Sequence, residues 1–137
     1  MTVKEFLQKG RKLEIEIKQL KEARQKAYEL ATSTTVDYSA EKVQTSSDNS
    51  AERKFAEYAE YSQELDQRIE ELSAYRKRML KLINKLDNST YRTLLVSRYI
   101  NCNTWEEIAE KMEYSDVWVR TKLHSDALMC AEKYYRE

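Results

Sequence analysis

Apolar residues recur at intervals of seven through the middle of this chain, and this spacing constrains the fold more than any other feature. One series consists of Tyr58, Leu65, Leu72, Met79 and Leu86. A second series, Phe55, Ser62, Ile69, Arg76 and Ile83, is polar at two of its five positions. Residues seven apart lie on one face of an α-helix, so residues 51–87 are predicted to form one long helix with an apolar stripe.

An earlier segment, from about Val3 to Ala31, carries a matching stripe. Phe6, Leu13, Leu20 and Ala27 are also seven residues apart, with Glu and Lys between them. Residues 32–50 are rich in serine and threonine without a helical period, and a polar loop is predicted there. The two helices favour a long antiparallel, coiled-coil-like hairpin over residues 1–87. The alternative, in which the second helix pairs with its counterpart in a dimer, stays open.

The composition agrees with an all-α protein. The chain has no proline and only one glycine, and 35% of its residues are charged, which favours long helices over a sheet rich in turns. No run of about 18 apolar residues is present, and the N-terminus lacks the apolar core of a signal peptide. We therefore expect a cytoplasmic protein without a membrane segment.

An enzyme is not expected, because the chain lacks a glycine-rich phosphate loop, a metal-ligand cluster and a nucleophile–base pair. Cys102 and Cys130 lie far apart without a CxxC pattern or partner histidines, and reduced thiols are expected. His124 is the only histidine and cannot by itself form a zinc site or a catalytic triad. We expect no catalytic residues, no cofactor and no metal.

Residues 88–137 have the pattern of a helix-turn-helix unit. Thr104 and Glu107 stand three residues apart, as the members of a capping box do at the start of a helix. Behind them, apolar residues recur at helical spacing: Trp105, Ile108, Ala109 and Met112. After a three-residue interruption, Ser115 is a favoured N-cap for the next helix. With an earlier helix expected over residues 88–100, these patterns predict a three-helix C-terminal domain.

The stretch LLVSRYINCNTWEEIAEKMEYSDVWVRTKLHSDAL, at residues 94–128, resembles region 4 of bacterial sigma-70 factors, which reads promoter DNA. Together with VDYSAEKVQTSS (36–47) and ELDQRIEEL (64–72), it is more similar still to small phage and prophage proteins of Gram-positive bacteria, the sigma-70-like or RinA/ArpU-type late regulators. The resemblance implies a sequence-specific DNA-binding transcriptional regulator, of the late-gene activator type, that acts with host RNA polymerase. No counterpart of the sigma segments that melt DNA is visible, so a complete sigma factor is not expected.

The chain departs from this family pattern at the turn and in the last helix. Many members carry glycine where this chain has Glu113. Left-handed backbone geometry at that position costs a non-glycine residue roughly 1 kcal/mol, so a different turn is expected here. Asp116 and Val117 stand where sigma factors usually place charged or polar residues. One extra residue also lies between Val119 and Ala127, so the register of the last helix beyond Val119 is left open.

Matching residue by residue to the sigma pattern gives candidate DNA contacts. The predicted base-contacting residues are Asp116, Val117, Arg120 and Thr121. Arg120 is the strongest candidate, because its planar guanidinium can pair with guanine O6 and N7. The predicted phosphate contacts are Thr104, Trp105, Lys122, His124, Arg76, Lys77, Arg78, Lys81, Lys85, Arg92 and Arg98.

The charge balance supports a second hypothesis. Residues 88–137 contain seven basic and eight acidic residues, and this net negative charge is poor for binding phosphates. The alternative function is a protein-interaction module whose sigma-like domain docks on RNA polymerase or another protein without reading DNA. Five cations without an acid within residues 76–85 favour double-stranded DNA instead. A homodimer is also expected, because half-site readers gain affinity and register by pairing.

Overall fold

The computed structural model describes the backbone of residues 1–36 and 45–135, and its α-helices are α1 (Val3–Val36), α2 (Thr45–Ile83), α3 (Ser89–Leu95), α4 (Trp105–Met112) and α5 (His124–Glu132). A π-helical turn, Val96–Ile100, continues α3, and another, Trp118–Leu123, leads into α5. No strand occurs among these residues. The all-α prediction is confirmed for this part of the chain.

The predicted loop over residues 32–50 was wrong at both ends. α1 continues to Val36 and α2 begins at Thr45, so helix covers residues 32–36 and 45–50. Serine and threonine cost a helix less than about 1 kcal/mol per residue, and a long helix that is already nucleated propagates through them. The Thr32 hydroxyl donates to the Tyr28 carbonyl at 2.9 Å, the bond that threonine makes inside a helix. The rest of the predicted loop, residues 37–44, lies outside the described residues.

The chain forms two compact units, and both long helices contribute to each of them. The major unit contains residues 1–15 and 71–137, and the minor unit contains residues 16–70. The boundary predicted after Asp87 therefore marks a change in sequence pattern, whereas both units draw on the first 87 residues.

Within the minor unit, α1 and α2 pair in opposite directions. Glu16 forms an ion pair with Arg68 at 3.0 Å, and the rings of Tyr28 and Tyr58 lie 5.5 Å apart. The later residue of α1, Tyr28, meets the earlier residue of α2, Tyr58. This order is that of an antiparallel pair. Leu65 of the heptad series is fully buried here.

Within the major unit, the first turns of α1 pack against the end of α2 and against the C-terminal helices. Phe6 lies 5.1 Å from the ring of Tyr75 and 5.2 Å from the ring of Tyr135. The Tyr75 hydroxyl donates to the Phe6 carbonyl at 2.7 Å. The backbone N–H of Val3 donates to the Glu132 carboxylate at 3.3 Å, which ties the start of α1 to the end of α5.

Gly10 permits the close approach of α1 and α2 in the major unit. A Cβ atom at this position would overlap the Met79 thioether and would lie 3.3 Å from the Tyr75 ring. Met79 is only 1% exposed, so its side chain has little room to move aside. The single glycine of the chain is therefore a packing residue inside a helix.

Replacing Gly10 with alanine is expected to lower the free energy of unfolding by about 1 kcal/mol, because overpacking outweighs the better helix propensity of alanine. Urea unfolding followed by circular dichroism measures the change. In a Met79→Ala background, which opens the space, the same Gly10→Ala substitution should be stabilising instead. A Gly10→Ala protein that is more stable than its parent would contradict the close approach.

Candidate nucleic-acid interface

Helix α4 begins with the capping box that its sequence predicts. The backbone N–H of Glu107 donates to the Thr104 hydroxyl at 3.2 Å, and the backbone N–H of Thr104 donates to the Glu107 carboxylate at 2.8 Å. Both reciprocal bonds satisfy groups that the start of a helix leaves unpaired. The Thr104 side chain, predicted to contact phosphate, is exposed and already holds this cap.

The turn after α4 keeps left-handed geometry although its residue is Glu113 and not glycine, so the expected difference in the turn is not found. Glu113 has φ 60° and ψ 40°, a conformation that is more common for glycine. The N–H of Tyr114 donates to the Ala109 carbonyl at 3.1 Å, and the N–H of Glu113 donates to the Glu110 carbonyl at 3.3 Å. These two bonds form a Schellman motif, which ends α4 and redirects the chain.

The following helix spans residues 116–132 and is called here the C-terminal helix. Ser115 caps it as predicted, because its hydroxyl accepts from the N–H of Trp118 at 3.1 Å. The first turns form the π-helical segment Trp118–Leu123. A π-helical turn closes i→i+5 bonds and so holds one more residue than an α-helical turn. Val119 and Ala127, eight residues apart and linked through this wider turn, are both fully buried.

The four predicted base-contacting residues lie at the start of the C-terminal helix, and three of them are exposed. Val117 is 61% exposed, and Arg120 and Thr121 are exposed as well. Asp116 is half-buried, with its carboxylate 4.0 Å from the Arg120 guanidinium. The Thr121 hydroxyl donates to the Val117 carbonyl at 2.6 Å, which leaves its methyl group for apolar contact. Base contact by these residues stays a prediction.

Three of the predicted phosphate-contacting arginines already have partners within the chain. The Arg76 guanidinium pairs with Glu14, and the Arg92 guanidinium donates to the Leu86 carbonyl. Arg98 donates to the Asn103 carbonyl at 3.2 Å. Its guanidinium also lies 4.1 Å from the ring centre of half-buried Trp105. These contacts fix the position of each side chain.

The remaining lysines and Arg78 lie on exposed surfaces. Arg78 rests against the rings of Phe6 and Tyr75, at 5.2 and 5.3 Å from their centres. One cavity is lined by Arg78, Lys81 and Lys85 together with Tyr134 and Tyr135. A second cavity is lined by Lys77 and shares Arg78 and Lys81 with the first. Lys122 is on the C-terminal helix, 3.4 Å from Asp126. Phosphate contact by these residues also stays a prediction.

His124 is buried and has a packing role in the structure. It is 9% exposed, its Nε2 shares a hydrogen bond of 2.6 Å with the Tyr99 hydroxyl, and its ring meets the edge of Trp105 at 4.7 Å. Burial, together with the positive charges of Lys4 and Arg98, lowers the pKa of His124 to about 4. The ring is therefore uncharged at neutral pH, which deprives the predicted phosphate contact of its electrostatic attraction.

A cavity of about 500 Å³ lies in the major unit beside the exposed start of the C-terminal helix. Its lining contains five cations and no carboxylate: Lys4, Arg11, Lys12, Arg98 and Arg120. Only Arg98 and Arg120 were expected near DNA from the sequence. The other three come from α1, at positions that share one helical face. The cations at residues 4, 11 and 12 were the available signal, but their neighbours in the fold could not be known from the sequence.

A family model for DUF1492, described as a protein of unknown function, matches residues 31–128. The chain belongs to this family. No curated protein and no solved structure matches the chain. The family match covers α2, α3, α4 and most of the C-terminal helix, whereas the α1 cations of the cavity lie before it.

Two other features of this DUF1492 protein bear on function. No helix in the described ranges is long and apolar enough to cross a membrane. Within residues 1–36 and 45–135, no group of three or more His, Cys, Asp or Glu side chains is placed to hold a metal ion. Cys102 and Cys130 are not joined by a disulfide.

The stability of the DUF1492 protein is expected to fall as the pH drops from 6.5 to about 4. The unfolded chain protonates His124 near the ordinary pKa of 6.5, whereas the folded protein keeps the ring neutral down to about pH 4. Protons therefore favour the unfolded state across this window, by on the order of 3 kcal/mol in total.

Urea unfolding at several pH values measures this loss, and His124→Gln is the matched control without a titratable ring. Because carboxylates titrate in the same range, the informative quantity is the difference between the two curves. The free energy of unfolding of the variant should decline less steeply between pH 6.5 and 4. Parallel curves would show that His124 is not held neutral.

Proposed function

We propose that this DUF1492 protein is a sequence-specific double-stranded DNA-binding regulator of phage or prophage transcription, of the late-gene activator type, acting with host RNA polymerase. The observation that carries the proposal is the exposed group Val117, Arg120 and Thr121 at the start of a capped helix, beside a cavity lined by cations. In helix-turn-helix proteins the same part of the second helix enters the major groove.

Each exposed side chain at this position has chemistry suited to a base edge. The Arg120 guanidinium can donate two parallel hydrogen bonds to guanine O6 and N7. Its carboxylate neighbour Asp116, at 4.0 Å, restricts the directions in which the long side chain points. Val117 and the methyl group of Thr121 can contact the methyl group of thymine. Together these groups could distinguish a short run of base pairs.

The placement of cations answers the objection raised by the charge count. The acids that follow Asn88 include three on α4, Glu106, Glu107 and Glu110, all of them exposed. The cavity lining contains none of them, and it gains Lys4, Arg11 and Lys12 from α1. Asp116, 4.0 Å from Arg120, and Glu106, whose charge acts on Arg98, offset part of this charge. Five cations against these two acids leave the cavity net positive although residues 88–137 are slightly acidic overall. This local charge matters more for DNA affinity than the total charge, because the affinity depends on how many phosphates the cations at the interface neutralise.

Arg120→Ala is expected to cost about 1–3 kcal/mol on a cognate duplex and to flatten the preference at one base pair. The cognate duplex is first selected from a random library, and affinities are then measured by fluorescence anisotropy over a range of salt concentrations. Lys122→Ala, two residues further along the same helix, should weaken binding to all duplexes similarly. It should also reduce the salt slope, which is the slope of log K against log salt concentration, by about 0.9.

Lys111→Ala removes an exposed cation from α4 and serves as the matched control, with affinity unchanged. Failure to select any preferred duplex, or an unchanged affinity of Arg120→Ala for the selected one, would contradict the proposal. RNA polymerase bound by the Arg120→Ala protein as tightly as by the parent would then favour the protein-interaction module.

We further propose that the protein acts as a homodimer, which would let two copies bind adjacent half-sites. The exposed apolar side chains Tyr28, Phe55 and Ile69 of the minor unit offer apolar surface that a dimer interface could bury. Light scattering should give twice the 16.3 kDa mass of the chain. Phe55→Glu should shift the mass toward a single chain, and a parent protein that stays at 16.3 kDa at high concentration would refute the dimer.

A further inference from the structure

We propose that the cation-lined cavity of the major unit is a binding site for a multiply charged phosphate group. Two sources have this chemistry, a free polyphosphate such as pyrophosphate and the backbone of a nucleic acid. The site does not rest on the proposed DNA-reading function, because its residues can bind a phosphate whether or not Arg120 contacts a base.

The charges that line the cavity converge from three separate segments. Lys4, Arg11 and Lys12 come from α1, Arg98 from the π-helical turn after α3, and Arg120 from the C-terminal helix. Folding brings these cations together without a carboxylate in the lining. Asp116, 4.0 Å from Arg120, and Glu106, whose charge acts on Arg98, offset part of this charge, and the remaining like charges repel unless an anion neutralises them. Burial lowers the pKa of Arg98, and the neighbouring Arg11 charge lowers it further.

Arg11 contributes a donor to this region that is unsatisfied within the described chain. Its Nε atom is inaccessible to solvent and has no hydrogen-bond partner among the described residues. Buried donors are normally paired, because an unmet donor loses its hydration without compensation. The planar guanidinium presents its donors as a fork that matches two oxygens of a phosphate. Gln8 lines the same cavity and can donate through its side-chain amide.

The cavity is also partly organised before any ligand arrives. Arg98 is fixed between the Asn103 carbonyl, at 3.2 Å, and the Trp105 ring, at 4.1 Å. The neutral, hydrogen-bonded pair of Tyr99 and His124 forms another part of the lining. A volume of about 500 Å³ exceeds a single phosphate and is within the range of small-molecule sites. Two linked phosphates fit this size and charge better than one.

The position of Arg120 connects this site to the proposed function. Its guanidinium lines the cavity and is also the main candidate for base contact. A free polyphosphate in the cavity would hold Arg120 and compete with duplex DNA. A backbone phosphate in the cavity would instead add a contact beside the bases that Arg120 reads.

The test uses the full chain with Trp118→Phe, which leaves Trp105 as the only tryptophan. Sodium pyrophosphate is titrated without DNA at constant ionic strength, with sodium chloride as the reference salt. We expect a saturable change in Trp105 fluorescence and a higher melting temperature, since a ligand that binds only the folded state stabilises it. Arg11→Gln should weaken pyrophosphate binding at least about tenfold, the effect of one lost charge-assisted hydrogen bond.

Lys111→Gln is the matched control and should bind pyrophosphate like the parent. Lys12→Gln, at an exposed position, is a second variant that should also weaken binding, and it keeps the test decisive if Arg11→Gln does not fold. Circular dichroism of each variant verifies its helix content.

A second arm of the experiment distinguishes the two phosphate sources. Random-sequence duplex is titrated with the parent and with both cavity variants over a range of salt. Pyrophosphate that binds and displaces the duplex supports a free polyphosphate as the occupant. A salt slope lowered by about 0.9 in Arg11→Gln, without a saturable pyrophosphate response, supports the nucleic-acid backbone.

Two outcomes separate this site from the proposed function. The phosphate site is overturned if the parent shows no pyrophosphate response and the salt slope is unchanged in Arg11→Gln and Lys12→Gln. This holds even if duplex DNA still binds through Arg120. Pyrophosphate binding that is lost in Arg11→Gln, in a protein that binds no duplex, would support the site and overturn the DNA-reading function.

Discussion

The packing of the first turns of α1 into the major unit is the constraint on which the rest of the account depends. Phe6 is buried against Tyr75 and Tyr135, and Gly10 lets the α1 backbone approach Met79. These contacts hold one face of α1 inward. They thereby place the face that carries Lys4, Arg11 and Lys12 beside Arg98 and Arg120. The position of α1 therefore determines both the packing of the core and the charge of the cavity.

Charge in this protein is informative only when its position is known. A count over residues 88–137 gives one net negative charge and argues against binding phosphate. The folded chain keeps the α4 acids out of the cavity lining, although Glu106 still acts on Arg98, and it adds three cations from α1. Meanwhile Arg76, which looked like part of a basic cluster, is paired with Glu14. Composition alone could not have distinguished these cases.

Local patterns predicted local structure well. The capping box of Thr104 and the N-cap of Ser115 depend on neighbours within a few residues, and both are confirmed. The different turn expected at Glu113 does not occur, because Glu113 itself adopts the left-handed geometry. The loop over residues 32–50 was too long because propensity alone does not show where a long helix ends. The left-handed Cys102, with φ 58°, had no sequence signal comparable to the glycine expected at Glu113. Only part of the site was predicted, because the α1 cations are about 90 residues away in the chain from Arg98 and about 110 from Arg120.

The most direct test of the account maps the surface that meets duplex DNA. Backbone amide chemical shifts of the ¹⁵N-labelled full chain are recorded with and without the selected duplex. The account predicts that the amides of residues 4–12 and of residues 116–122 shift together, because α1 and the C-terminal helix line one cavity. Shifts confined to the C-terminal helix, with residues 4–12 unchanged, would contradict the claim that α1 forms part of the interface.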